Sequence, residues 1–322
     1  MCLHIRPVFY IKYYKHKQVN ETMNRIRKLL HIDDIHKSGY TGKNIGIAIL
    51  DTGIVAHPDL AENIVCFQDY INGKRLPYDD NGHGTHVSGI IAGTGKKSNG
   101  LYRGIAPNAN IIMLKCLEKS GNGSVADAKR CFDFILSQKE RYQIRIVNIS
   151  VGSVAKAGDR ENESLIEGVE YLWQNGLVVV IAAGNNGPEA GSVTAPGCAK
   201  SVITVGASDD NLETGSLYTR NNKKMLHYSG RGPTDICVVK PEIVCPGTGV
   251  VSCDIGRRGY SPKSGTSMAA PIVSGVIALL LEKYPDMTNK DVKKRLYETS
   301  EDLGFPKSHQ GWGRISPKTL LK

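Results

Sequence analysis

Three short segments carry residue types that can make and break a covalent bond. They are Asp51-Thr52-Gly53, Asn81-Gly82-His83-Gly84-Thr85-His86 and Ser264-Gly265-Thr266-Ser267-Met268-Ala269-Ala270-Pro271. Taken singly, each has an ordinary structural reading: an aspartate at a strand end is a turn or cap residue, a histidine satisfies buried partners, and Gly-Thr-Ser opens a helix. Together they supply an acid, a base and a nucleophile in the order Asp, His, Ser. A serine hydroxyl is a poor nucleophile at neutral pH, so a neutral imidazole must take its proton during attack and return it to the leaving group. A carboxylate on the far side of the ring holds the productive tautomer and stabilises the imidazolium.

Other chemistries fit less well. An aspartic protease needs two Asp-Thr-Gly carboxylates, and the chain has one copy. A metallohydrolase built on His83 and His86 lacks a glutamate between them and an evident third ligand. An α/β-hydrolase places its nucleophile ahead of its acid and base, whereas only His309 follows Ser267.

The elements that must position these residues read as a parallel sheet. Short apolar runs at 45–50, 111–117, 145–151, 177–182 and 201–205 look like buried strands. Between them, 124–139 places Val125, Ala128, Phe132 and Ile135 on one helical face behind Ser124 as N-cap, and 163–175 repeats the pattern before Gly176. The expected fold is α/β, a doubly wound, mostly parallel β-sheet flanked by helices, with working residues on loops beyond the strand ends. Asp51, Ser150 to Ser153, and Gly184 with Asn185 all follow such runs. A long helix over 269–284 would present Ser267 at its positive end, with Pro271 in its first turn. The stretch 211–226, with Arg220, Lys223 and Lys224, reads as an exposed insertion.

At this point the chain resembles the subtilase family of serine proteases across roughly residues 30 to 320. The matching motifs are His83 to Gly89, Gly104 to Pro107, Ala183 to Gly187, Ser229 to Pro233, Pro241 to Gly247 and Gly265 to Pro271. Tyr78 to His83 and Tyr102 to Pro107 place it near the cytoplasmic AprX-type branch. The resemblance implies a serine endopeptidase with Asp51, His83 and Ser267 as catalytic triad, working through an acyl-enzyme, and Asn185 as oxyanion donor; His86 is then structural. It implies that Ser150, Val151 and Gly152 pair with an extended polypeptide substrate and that Gly121 and Gly123 flank its other edge. Ala182, Ala183 and Gly184 would wall the specificity pocket and Thr194 would lie near its base. None of these is acidic, so broad specificity with apolar or aromatic preference is expected. The alternative is a catalytically silent subtilase-fold binding or regulatory protein.

The same resemblance implies no required cofactor. Many relatives hold calcium through an aspartate matching Asp59, but here the facing loop, Thr94 to Asn99, brings Lys96 and Lys97 and no carboxylate, which argues against a tight oxygen cage. Residues 31–322 read as one catalytic domain, and residues 1–30 as a basic extension, regulatory or disordered. Within the extension, Arg6-Pro7-Val8-Phe9-Tyr10 could lie across the cleft with Pro7 blocking cleavage.

The formal net charge is +10, and residues 1 to 43 hold nine Lys or Arg against three acids. That leader reads as a solvated segment, so neither nucleic acid nor membrane is an expected partner. Arg6, Lys12 and His4 interrupt the apolar positions of the first fourteen residues, leaving no secretory core, and no run reaches the roughly 18 apolar residues of a membrane span. The eight cysteines form no C-x-x-C pair and read as free thiols in a reducing cytoplasm, rather than as a zinc site or a disulfide such as Cys237 with Cys245.

Overall fold

The computed structural model describes residues 6–7, 23–152, 160–210, 227–235, 239–256 and 259–322, with the backbone alone described at 6 and 7. The expected insertion at 211–226, Cys2, Cys237 and Val8 to Tyr10 lie outside the described residues. In chain order the elements begin with β1 (Arg6–Pro7), α1 (Met23–Leu29), α2 (Ile32–Lys37), β2 (Gly46–Asp51), β3 (Ile64–Asp69) and α3 (His83–Ala92). They continue with β4 (Asn110–Lys115), α4 (Val125–Gln138), β5 (Ile144–Ile149), β6 (Val151–Gly152), α5 (Arg160–Gln174), β7 (Val178–Ala182) and β8 (Ile203–Ala207). The last are β9 (Ile243–Cys245), β10 (Val250–Cys253), β11 (Tyr260–Lys263), α6 (Thr266–Lys283), α7 (Asn289–Thr299), α8 (Lys307–Gln310) and α9 (Pro317–Leu320).

Seven strands form one sheet in the order β3-β4-β2-β5-β7-β8-β9, and every pairing in it is parallel. Strands β2, β7 and β8 are buried along their whole length because helices cover both faces: α3 packs with α6, and α4 with α5. This is the expected doubly wound α/β architecture. Chain order reverses direction across the sheet at β2, so β2, β4 and β5 end at one rim. Asp51 pairs with Lys115 there, and Leu50 with Ile149, the residue before Ser150. An antiparallel hairpin, β10–β11, packs on α3.

Local sequence accounts for some helix starts. Ser124 Oγ accepts the Asp127 N–H at 3.0 Å, capping α4 as expected. Helix α5 begins three residues earlier than its apolar period suggested, with Glu161 and Glu163 in the first turn. Helix α6 also begins earlier, at Thr266, because the Asn185 side chain accepts the Thr266 N–H at 2.9 Å and so caps the helix from a distant loop. Pro271 is therefore the sixth helical residue and not part of the first turn. Its missing N–H frees the Ser267 carbonyl, which the Ser150 hydroxyl approaches at 3.5 Å. By length and composition α6 could cross a membrane, but it is 89% buried and packs against β5, β7, β8 and β9, where its apolar surface fills the core. Met23, Ile26 and Leu30 are buried in the same core. The six described cysteines are free thiols.

Two charges are buried on purpose beside β8 and β9. Lys240, fully enclosed, donates to Glu242 at 2.7 Å, and the same carboxylate takes Lys293 at 3.1 Å and the Thr204 N–H at 2.8 Å. Removing one member leaves an uncompensated buried charge. Glu242→Gln, made in a Ser267→Ala background to prevent self-digestion, is expected to lower unfolding stability by about 3–5 kcal/mol, read from the urea midpoint.

Candidate active site

Asp51 is the last residue of β2 and His83 the first of α3, and the two side chains meet although 32 positions separate them. His83 Nδ1 lies 2.7 Å from Asp51 Oδ1 and 2.9 Å from Oδ2. The carboxylate accepts, so the ring carries a proton on Nδ1 and turns Nε2 to the other side. Nε2 is buried with no hydrogen-bond partner among the described residues. Ser267, the second residue of α6, donates its hydroxyl to the Ser150 carbonyl at 3.1 Å. Asp51 and His83 are thus hydrogen-bonded, whereas Ser267 is held by backbone and not by the imidazole.

Asp79 fixes the Asp51–His83 geometry. Its Oδ1 accepts from the Thr52 hydroxyl at 2.9 Å and from the N–H groups of Asn81 and Gly82 at 3.0 and 2.7 Å. Its Oδ2 accepts from the Thr85 N–H and hydroxyl at 3.0 and 2.7 Å. Thr52 in turn accepts the Gly84 N–H at 3.0 Å. One carboxylate therefore joins the end of β2 to the free amides at the start of α3. The approach is so close that a side chain at Gly53, where φ is +121°, would collide with the Tyr78 carbonyl. Lys115, fully buried, adds a second clamp: Nζ donates to the Thr52 and Leu117 carbonyls at 2.6 and 2.9 Å and to Asp80 at 2.9 Å.

Across the rim, Asn185 Oδ1 accepts from the Thr266 N–H and hydroxyl, at 2.9 and 3.0 Å. Its Nδ2 is buried without a hydrogen-bond partner among the described residues and stands beside Gly265, whose φ of +147° no other residue adopts easily. The Thr194 N–H donates to the Ala183 carbonyl at 3.0 Å, and a side chain on Gly152 or Gly184 would run into Thr194. The structure thus gathers Val151 and Gly152, Ala182 to Gly184, and Thr194 around one site. Gly123 bridges to Leu117 on the neighbouring edge, and Gly121 makes the turn beside it at φ +84°. The backbone of β1 lies antiparallel on β6, with Arg6 opposite Gly152 and Pro7 opposite Val151.

The electrostatics are those of a closed rim. Burial pulls the Lys263 ammonium down to about 8, while Asp254, Asp79 and Asp51 act in the opposite direction. His86 is enclosed, its Nε2 donating toward the Val250 and Ser261 carbonyls at 3.1 and 3.0 Å, and burial holds it well below its ordinary value. It ties α3 to the β10–β11 hairpin.

Asp59 lies apart from this rim. Its Oδ1 accepts the Lys97 N–H at 2.8 Å and its Oδ2 the Tyr260 hydroxyl at 2.7 Å. The metal-capable groups beside it are the His57 imidazole and the Cys253 thiol. Calcium asks for roughly six to eight oxygen donors, and one carboxylate with nitrogen and sulfur neighbours does not fit it.

Two contributors escaped sequence reasoning. Asp79 carried one local signal, a carboxylate a few residues ahead of a helix start, but its bond to Thr52 is long-range. Lys115 carried only the oddity of a charge ending an apolar strand.

With this geometry in place, comparison with known proteins is informative. The family model described as "Subtilase family" matches residues 42–313. The chain is 38% identical to the serine protease AprX of Bacillus subtilis, over 92% of this chain and 69% of that protein. It is 33% identical to subtilisin DY of Bacillus licheniformis, over 86% of this chain and 90% of that protein. It is also 33% identical to a thermostable alkaline protease of Halalkalibacterium halodurans, over 86% of this chain and 68% of that protein.

Asp79 makes the site acid-sensitive. Burial alone would raise its pKa, but the hydrogen bonds from Gly82, Thr85 and Asn81 outweigh burial and hold it below the usual carboxylate range. A carboxyl depressed on folding stabilises fully above its unfolded value of about 3.9, and that contribution is lost as pH falls through the lower folded value. In a Ser267→Ala background, Asp79→Asn is expected to be less stable at neutral pH and to lose less stability below about pH 4. Urea midpoints measured across that range check both slopes.

Proposed function

Because this chain belongs to the subtilase family and is a serine endopeptidase, we propose that it cuts polypeptides through an acyl-enzyme, with Asp51, His83 and Ser267 as the triad. The observation that carries this reading is the Asp51–His83 pair, whose unpartnered Nε2 faces the side of the ring where a nucleophile's proton must go. In this reading the Ser267 hydroxyl leaves the Ser150 carbonyl for that nitrogen. His83 then takes the hydroxyl proton as Oγ attacks, and returns it to the leaving amine; water repeats the cycle on the ester. The unpartnered Nδ2 of Asn185 and the Ser267 N–H, at the start of α6, would receive the oxyanion.

The substrate would lie extended, pairing with Val151 and Gly152 while Gly121 and Gly123 flank it. The chain's own β1 supports this, since it already occupies that edge as an antiparallel strand. Backbone pairing gives sequence tolerance, and a pocket of Ala182, Ala183, Gly184 and Thr194 favours apolar or aromatic side chains. The position of β1 also supports a regulatory role for the extension, with Arg6 and Pro7 competing for the edge a substrate needs. The free thiols support a reducing compartment, as proposed for a cytoplasmic protein.

A fluorophosphonate probe is expected to label the protein and not Ser267→Ala; absence of labelling in both would favour a silent binding protein. Asn185→Ala is expected to lower kcat by about 100- to 1,000-fold, the size known for the same donor in subtilisin itself. Deleting residues 1–20 is expected to raise the initial rate on a short peptide. An unchanged rate and time course would remove the regulatory role while leaving the triad intact.

A further inference from the structure

Residues 23–30 end the stretch expected to be an extension, yet they are built into the domain. Met23, Ile26 and Leu30 lie in the core, and the polar side of α1 reaches far along the chain. Arg25 Nη2 donates to Asp209 Oδ2 at 3.1 Å and to the Thr248 carbonyl at 3.2 Å, 184 and 223 positions away. Asp209 is buried and divides its oxygens: Oδ2 takes Arg25, while Oδ1 accepts the Gly247 and Thr248 N–H groups at 2.7 and 3.0 Å. Its backbone carbonyl accepts the Thr248 hydroxyl at 2.8 Å.

The turn held in this way grips the chain just ahead of α6. The Gly265 N–H donates to the Gly247 carbonyl at 3.0 Å, and the Gly249 N–H to the Ser264 hydroxyl at 2.8 Å. A side chain on Gly247 would run into the Gly265 carbonyl, and one on Gly265 would run into Asn185 Nδ2. Gly265 is therefore packed between the 247–249 turn and the Asn185 amide, two residues before Ser267.

We propose that Arg25 is a positioning residue for peptide-bond hydrolysis: it holds Asp209 charged, Asp209 fixes the 247–249 turn, and through Gly265 that turn sets the spacing of the Asn185 amide and the Ser267 N–H. The inference rests on the oxyanion role proposed for those two donors. Such donors lower a barrier only when they are already aimed at the place where charge develops, and a misplacement of about 1 Å can cost about 100-fold. Burial pushes the Asp209 carboxyl above its usual range, while the Gly247 N–H and the Arg25 guanidinium act in the opposite direction. Without the guanidinium, a buried carboxylate has lost its charge partner. Once neutral, it holds the Gly247 and Thr248 amides less tightly, because hydrogen bonds to an ionised acceptor are the stronger kind. The loosened turn then releases Gly265.

The test uses the full chain and a short chromogenic peptide, with a fluorophosphonate run to completion to count competent sites in each variant. Arg25→Met is expected to lower kcat per labelled site about tenfold and to leave KM within about twofold, the pattern of an interaction made only in the transition state. In an Asn185→Ala background, where the amide donor is already gone, the same substitution is expected to lower kcat by less than about twofold, because both losses pass through one site. Arg27→Met loosens α1 elsewhere, at the Gly100 and Arg103 carbonyls, and is expected to lower Tm with kcat per site unchanged. Should Arg25→Met not fold, Arg25→Lys keeps a cation beside Asp209 and is expected to show a smaller kcat loss that again vanishes in Asn185→Ala. An unchanged kcat in the folded Arg25 variant, a loss carried in full into Asn185→Ala, or an equal loss in Arg27→Met would each overturn the positioning role and leave the hydrolytic reading standing. A parent chain that neither labels nor cleaves would overturn both.

Discussion

The contact on which the rest depends is one carboxylate against one imidazole, both withdrawn from water. Asp51 is fully buried and His83 is 2% exposed. A charge placed there is tolerated only where hydrogen bonds replace its hydration. The Thr52 N–H supplies one at 2.7 Å and the His83 ring the others. For those donors to converge, the end of a central strand and the first turn of a helix must be held in register across a long excursion of chain. Asp79 does this by satisfying backbone amides that a helix start cannot satisfy itself, so the capping of α3 and the aim of His83 are one interaction network.

The second helix start at the same rim obeys a related constraint. Asn185 uses its oxygen to cap α6 through Thr266, and that use decides where its amide nitrogen points. A side chain with both ends free would rotate; this one is locked by its own carbonyl. The Gly184 N–H also donates to the Thr266 hydroxyl, at 3.1 Å, so the loop after β7 and the start of α6 move as a unit. Preorganisation here comes from helix capping, which the fold requires in any case.

How far this was legible in the sequence follows from the range of each interaction. The parallel sheet was legible because strands covered on both faces must be apolar throughout, as β2 and β7 are. Ser124 announced α4 because its capping bond spans three residues. The start of α6 was misplaced because its cap arrives from Asn185, 81 positions away. Asp51, His83 and Ser267 stood out only as a set in order, since each type alone has commoner structural uses. The long-range bonds of Lys115 and of Asp79 to Thr52 were hidden for the same reason as the α6 cap: what they join is set by sheet topology and not by neighbours in the chain. The pairing of β1 with β6 is equally non-local.

Ser150 shows why the edge and the proposed nucleophile are hard to separate. Its carbonyl accepts the Ser267 hydroxyl and its own hydroxyl reaches the Ser267 carbonyl, the one Pro271 leaves without a helical donor. The next two residues form the edge on which β1 lies. A proline inside a helix, a serine at a strand end and an open edge are thus parts of one arrangement. Releasing the Ser267 hydroxyl breaks a neutral hydrogen bond, whose net worth is about 0.5–1.5 kcal/mol. That cost is small beside the roughly 8 kcal/mol or more by which enzymes lower their barriers. A hydroxyl resting on backbone is therefore no obstacle to the proposed transfer of its proton to the imidazole, provided the helix start that carries it stays fixed.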